Sequence, residues 1–251
     1  NMDRLFFAPG GIMRSEFDEL YNALFANADL YINVVKSMAG HHEGMSRDEI
    51  AKATGVSGGT LTRVLTNLER CDFIARSRNF GQKSKDTIYR LVDFYTLFYY
   101  KFIMQDTAGD EQWWSHNFES RAVSVWQGLT FETVCLMHTD CIKRALGISG
   151  MATEISAWRK TAGEGEKGGQ IDLIIKRADR IIHLCEMKFS KSEYRITDAY
   201  EQLLRERLEL FQSSTKTTFS LVITFVTTYG VADGLHHSLV HSEVTIEQLF
   251  C

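Results

Sequence analysis

From Phe17 to Met38, apolar residues return at the spacing of one helical face: Phe17, Leu20, Tyr21, Leu24, Phe25, Leu30, Ile32, Val35 and Met38. Gly40, His41 and His42 follow. Ser46-Arg-Asp-Glu49 then has the form of a capping box, an N-cap serine with a glutamate three residues on, and it opens a short helix that Gly55 stops. Ser57 starts the next helix, with a predicted buried stripe of Leu61, Val64, Leu65 and Leu68. Two β-rich runs, 73–78 and 87–92, flank a polar tip of Asn79, Gly81, Gln82, Lys83, Ser84 and Lys85 and read as a hairpin. Helix, short helix, turn, helix, hairpin is the winged helix-turn-helix pattern. It predicts that the helix of Ser57–Arg70 enters a DNA major groove while the hairpin lies on the phosphate backbone.

The pattern changes after the hairpin. Residues 93–104 form a dense aromatic helix, expected at a domain junction, with a boundary near Asp106–Asp110. This divides the chain into a winged-helix domain with its aromatic helix at 1–108 and a second domain at 109–251. Residues 118–146 read as helical, with Trp126, Phe131, Val134, Cys135, Met137 and Ile142. Three strands follow: 153–158, 170–177 and 180–189, the last two joined at Ala178-Asp179. Then come a helix over 197–211, a buried strand over 219–226 and a last strand near 244–246. The fold class is α+β: a winged helix followed by an α/β domain.

Charge refines the picture. The net charge of −4 excludes polyanion binding by bulk charge. Residues 1–91 hold 12 Lys/Arg against 11 Asp/Glu, and the remainder 16 against 21, so the chain runs from about neutral to acidic. Within the first part, Arg76, Arg78, Lys83, Lys85 and Arg90 concentrate on the hairpin. Arg63 lies on the presumed recognition helix with Thr60, Thr62 and Asn67. These residues are the candidate nucleic-acid contacts, although the helix itself is poor in Lys and Arg. A packing or dimerisation module is the competing reading of this domain.

Other features narrow the class. No apolar run reaches the length of a membrane span, and no signal pattern opens the chain, so a cytoplasmic protein is expected. Five widely spaced cysteines without a C-x-x-C point to free thiols. Asn1 before Met2 reads as an expression remnant on a piece of a longer protein.

The strands of the second domain carry the candidate chemistry. They read Gly169-Gln-Ile-Asp172-Leu-Ile-Ile and Ile181-Ile-His-Leu-Cys-Glu186-Met-Lys188. Alternation puts Glu186 and Lys188 on one face with Leu184 and Ile182, and a hairpin brings Asp172 beside them. Two close carboxylates repel unless a cation lies between them, and Mg²⁺ suits that place. A lysine one strand step away orients or helps deprotonate a metal-bound water. The set describes a metal-assisted phosphodiester hydrolase using Mg²⁺ or Mn²⁺. The competing reading is a solvated salt-bridge face in which Lys188 neutralises Glu186.

This D…E-x-K arrangement resembles the PD-(D/E)XK nuclease superfamily, with Ile171 where that pattern has proline. The resemblance implies a restriction-endonuclease-like fold with a central mixed sheet flanked by helices, with Asp172 and Glu186 as metal ligands and Lys188 as the catalytic lysine. It also implies an assisting role for Glu132 on the preceding helix and for Gln202 on the following one. A wider resemblance takes in the winged helix, the aromatic helix, Gly128-Leu-Thr-Phe-Glu132 and the acidic strands. In that order they resemble the C-terminal half of a family of prokaryotic AAA-type ATP-binding proteins. Phe6-Phe-Ala-Pro-Gly10 is similar to the linker after their ATPase domain. The resemblance implies an ATPase domain, fused or as a partner. The chain itself has no phosphate-binding G-x-x-x-x-G-K-[ST].

Several motifs are set aside. Gly163-Glu-Gly-Glu-Lys-Gly168 precedes a strand and carries two glutamates, which suits a loop and not a dinucleotide site. His236, His237 and His241 read as surface histidines, and His183 and Cys185 as structural. The expected function is a DNA-binding, divalent-metal-dependent nuclease module. The alternatives are a catalytically inactive DNA-binding or regulatory module and a protein-interaction scaffold.

Overall fold

The computed structural model describes residues 1–81, 87–105, 109–163 and 167–250. The chain divides into two compact units: 1–77 with 87–126, and 78–86 with 127–251. The division falls within the helix Arg121–Met137. Lys83 and Lys85 of the hairpin tip lie outside the described residues.

The first unit is built on helices α1 (Ile12–Leu24), α2 (Ala28–Met38), α3 (Arg47–Thr54) and α4 (Gly58–Arg70). The apolar stripe predicted from Phe17 to Met38 is two helices and not one. Phe25 leaves the helix in an extended conformation, and its ring stacks on Tyr31 of α2 at 3.9 Å. The capping box forms as predicted: Ser46 accepts from the Glu49 amide, and the Glu49 carboxylate accepts from the Ser46 amide. Gly55 ends α3 with φ of 71°, a left-handed conformation that disfavours a side chain.

Leu61, Val64, Leu65 and Leu68 of α4 are all buried, at the i, i+3, i+4, i+7 spacing of one face. Each contributes about 1.5–3 kcal/mol by burial. They meet Val34, Val35 and Met38 of α2 and Ile50 of α3 in one core. Strands β1 (Met45–Ser46), β2 (Ile74–Arg78) and β3 (Thr87–Leu91) form a three-stranded sheet in the order β1-β3-β2. Helices with this small sheet are the winged-helix architecture.

The aromatic stretch after β3 begins as helix α5 (Phe94–Phe98), capped by Asp93, which accepts from the Thr96 amide. It continues as a π-helix from Tyr99 to Ile103, a departure from the regular helix predicted. Its rings work in two directions. Tyr99 stacks on Phe17 at 4.0 Å, while Phe98 and Phe102 pack against Trp126. Trp113 of the short helix α6 (Trp113–Asn117) stacks on Phe7.

In the second unit, helices α7 (Arg121–Met137) and α8 (Thr139–Ala145) precede a five-stranded sheet. Its strands are β4 (Thr153–Lys160), β5 (Gly169–Arg177), β6 (Ile181–Lys188), β7 (Ser220–Thr227) and β8 (Val240–Thr245), in that spatial order. β4, β5 and β6 pair antiparallel, whereas β6, β7 and β8 pair parallel, so the sheet is mixed as predicted. Helix α9 (Asp198–Thr215) is the crossover between the parallel neighbours β6 and β7.

The strands divide their side chains between two cores. Leu173, Ile175, Cys185, Met187 and Val226 pack with Phe131 and Cys135 of α7 and Ile142 of α8. Ile171, Ile174, Ile182 and Leu184 pack with Phe211 of α9. The sheet is therefore covered by α7 and α8 on one face and by α9 on the other. No described helix is long and apolar enough to cross a membrane.

Candidate functional site

The first candidate surface is the outer face of α4. Its inner face is buried, which leaves Gly58, Gly59, Thr60, Thr62, Arg63 and Arg70 exposed. Arg47, from the first turn of α3, donates to the Gly58 carbonyl at 2.8 Å and to the Thr62 hydroxyl at 3.3 Å. It joins the start of α4 to α3 and adds a guanidinium to the surface, a residue the sequence reading did not single out. Its signal was available: it occupies the first position of a capped helix that ends a few residues before α4.

Arg76 is exposed on β2 and Arg90 half-buried on β3, while Arg78, also exposed, falls in the second unit. Arg76 is engaged by Glu69 at the end of α4, Nε to Oε1 at 2.5 Å. Asn67 is also drawn inward, donating to the Tyr31 hydroxyl at 2.8 Å, so it is a brace between α4 and α2.

The second candidate surface lies where the β6 strand meets α9. Lys188 sits 2.9 Å from Glu186 Oε1, and both side chains are half-buried. Arg207 of α9 reaches Glu186 Oε2 at 2.5 Å, and Tyr200 of the same helix donates its hydroxyl to Oε1. Burial works against the Lys188 ammonium, but Glu186 and then Tyr200 outweigh it and hold its pKa above the usual lysine value. Burial, followed by Glu186, likewise pushes the Tyr200 phenol up. The Lys188 ammonium lies 5.1 Å from the centre of the Tyr200 ring, so the aromatic face supports the cation as well.

This arrangement does not fit a divalent ion on Glu186, because both of its oxygens already accept from protein donors. Nor do the predicted acids converge. Among the described residues, no three His, Cys, Asp or Glu side chains gather as a metal-binding group, so Asp172, Glu186 and Glu132 do not form one. The cause at Asp172 is a β-bulge. β4 and β5 pair as Ser156↔Ile174 but as Trp158↔Ile171, so β5 carries one extra residue between them. Strict alternation fails across it, and Ile171 shares a face with Ile174. Ile171 lines the small cavity beside Glu186, where alternation had placed Asp172. Asp172 instead accepts from Gln170 at 2.8 Å.

Glu132 lies on α7, half-buried, within a turn of buried Phe131 and Cys135. Gln202 is exposed on α9 and donates to Glu206, one turn on, at 3.1 Å. Neither joins the Glu186 cluster. The two α9 residues that do, Tyr200 and Arg207, were missed by the sequence reading. The signal was their place in the apolar stripe Tyr200, Leu204, Arg207, Leu208, Phe211, where an arginine is out of pattern.

The histidines serve as ion-pair and packing groups. His236 lies between Asp198 and Glu201, at 2.6 and 2.8 Å, and His237 pairs with Glu243 at 2.8 Å. His183 is buried against Thr224 at 2.8 Å, and burial, followed by the nearby Arg177, lowers its pKa to about 4. Cys185 is buried, and burial raises its thiol pKa, which suits a packing role.

No curated protein matches the chain in sequence. Residues 37–81, which run from the end of α2 through α3 and α4 to the hairpin, match the model of the MarR family, and this match supports a DNA-binding, regulatory winged helix in this part of the chain.

Proposed function

We propose that the protein is a DNA-binding regulatory module that reads the duplex through its winged helix. In this reading α4 enters the major groove, where Thr60, Thr62 and Arg63 face base edges, and the hairpin places Arg76 and Arg78 on phosphates. The observation that carries it is the division of α4 into a fully buried apolar face and an exposed polar face, within a segment that matches a winged-helix family.

The test is fluorescence anisotropy on duplex DNA at rising salt. With about five phosphate contacts the log–log salt slope is about −4 to −5. Replacing Arg63 and Arg76 together by alanine is expected to flatten that slope by about 1, through the lost phosphate contact of Arg76, and to weaken base discrimination through Arg63. Absence of binding at low salt, or binding whose slope ignores both substitutions, would overturn the reading.

The finer reading, a metal-dependent nuclease joined to an ATPase and assembled as an oligomer, has one supporting observation. The Glu186–Lys188 pair stands on a central strand of a mixed sheet, as the E-x-K motif requires. It also requires Mg²⁺ or Mn²⁺ on a carboxylate that two protein cations already hold, so we place it second. DNA cleavage with Mn²⁺ that disappears in Asp172→Ala and Lys188→Ala would promote it.

A further inference from the structure

The geometry points to a metal-free junction between β6 and α9: Arg207 occupies the place on Glu186 that a divalent cation would take, and with Lys188 and Tyr200 it locks the helix to the sheet. Three observations converge on this. Each oxygen of Glu186 is engaged, Oε1 by Lys188 and Tyr200 and Oε2 by Arg207. The cavity beside the carboxylate measures about 20 Å³, room for a single water, and its walls are mostly Ile171, Leu184, Leu204, Leu208 and Ile223. Mg²⁺ keeps several waters and needs more space than that. The bulge in β5 puts an isoleucine where a second carboxylate would have to stand.

Charge leads to the same conclusion. One carboxylate faces an ammonium and a guanidinium, so the local balance is already positive before any metal arrives. A divalent ion would bring two more positive charges against Lys188 and Arg207 at short range in a half-buried setting, where such repulsion is poorly screened. Arg207 can take both roles, since its planar fork binds carboxylates well and its aliphatic stem belongs to the α9 stripe between Leu204 and Leu208. The junction thus converts a motif that resembles a catalytic one into a cross-link between secondary-structure elements.

The test uses the full chain, with Mn²⁺ as the probe, followed by calorimetry and by thermal unfolding. Wild-type protein is expected to show no Mn²⁺-dependent rise in midpoint that Glu186→Gln removes. Arg207→Gln is expected to lower the midpoint by several degrees. The double variant with Glu186→Gln is expected to lose less than the two single losses combined, because the pair acts as a unit. Arg207→Lys, which keeps a cation, should recover part of the loss, and it serves with the wild-type titration if Arg207→Gln does not fold. A rise of about 2–4 °C with Mn²⁺ in the wild type, abolished by Glu186→Gln, would overturn the inference. Additive losses in the double variant would overturn it too.

Discussion

The two units use arginine in opposite ways. On the first, Arg63 stands exposed, and Arg76 meets its carboxylate partner at the surface. On the second, Arg207 is three-quarters buried and meets a carboxylate that is more buried still. An exposed ion pair is worth little and gives way to a competing phosphate, whereas a buried charge deprived of its partner is costly. The difference shows that burial, and not residue type, decides whether a cation is available to a ligand. It makes the first unit the place to look for nucleic acid and the second a place where charge holds structure.

The comparison can be broken at several points. Leu68→Ala, in the fully buried stripe of α4, should cost about 2–5 kcal/mol and remove DNA binding together with the fold of the first unit. Thermal unfolding with anisotropy checks both, and binding that persists through the loss of the fold would detach recognition from α4. Arg207→Ala should cost about 2 kcal/mol of stability with DNA affinity unchanged. A parallel loss of affinity would show that the two units do not divide the work as described.

A third outcome concerns pH. His183 has a folded-state pKa lowered to about 4, against an unfolded value near 6.5. The unfolded chain therefore binds the extra proton first. The stability this histidine contributes is fully present above about pH 6.5 and is lost as the pH falls from there towards 4. Melting curves across that window should show the decline, and His183→Asn should flatten it. Ser46→Ala, which removes half of the capping box, should cost about 1 kcal/mol. The smallest effect is expected from Glu69→Gln, which frees Arg76 and should tighten DNA binding a few-fold at low salt and hardly at all at high salt. An affinity that fell instead would make Glu69 a positioning residue for the hairpin.

Much of the first unit was legible because its signals are local. The Ser46–Glu49 box, Gly55 and the Leu61–Leu68 stripe each act within one or two turns, and all formed as read. The break at Phe25 was not legible, because it follows from a ring stack with Tyr31, which belongs to the next helix. The π-helix at Tyr99–Ile103 likewise accompanies ring contacts reaching in two directions.

In the second unit the order of strands and the place of α9 could be read, since alternation and apolar runs mark them. The arrangement around Glu186 could not. Sequence spacing gave Asp172, Glu186 and Lys188 equal standing, and one extra residue in β5 was enough to put Ile171 where Asp172 was expected. Arg207, 21 residues beyond Glu186, reached it only through the α9 crossover.

The amino-acid sequence by itself determined where most helices start and stop, which faces they bury and that a run of strands follows the winged helix, because these depend on neighbours a few bonds away. Only the tertiary structure decided which charges meet. Ion pairs form between side chains brought together by register and crossover, and a single bulge moves a carboxylate off a face without changing the pattern that predicted it there.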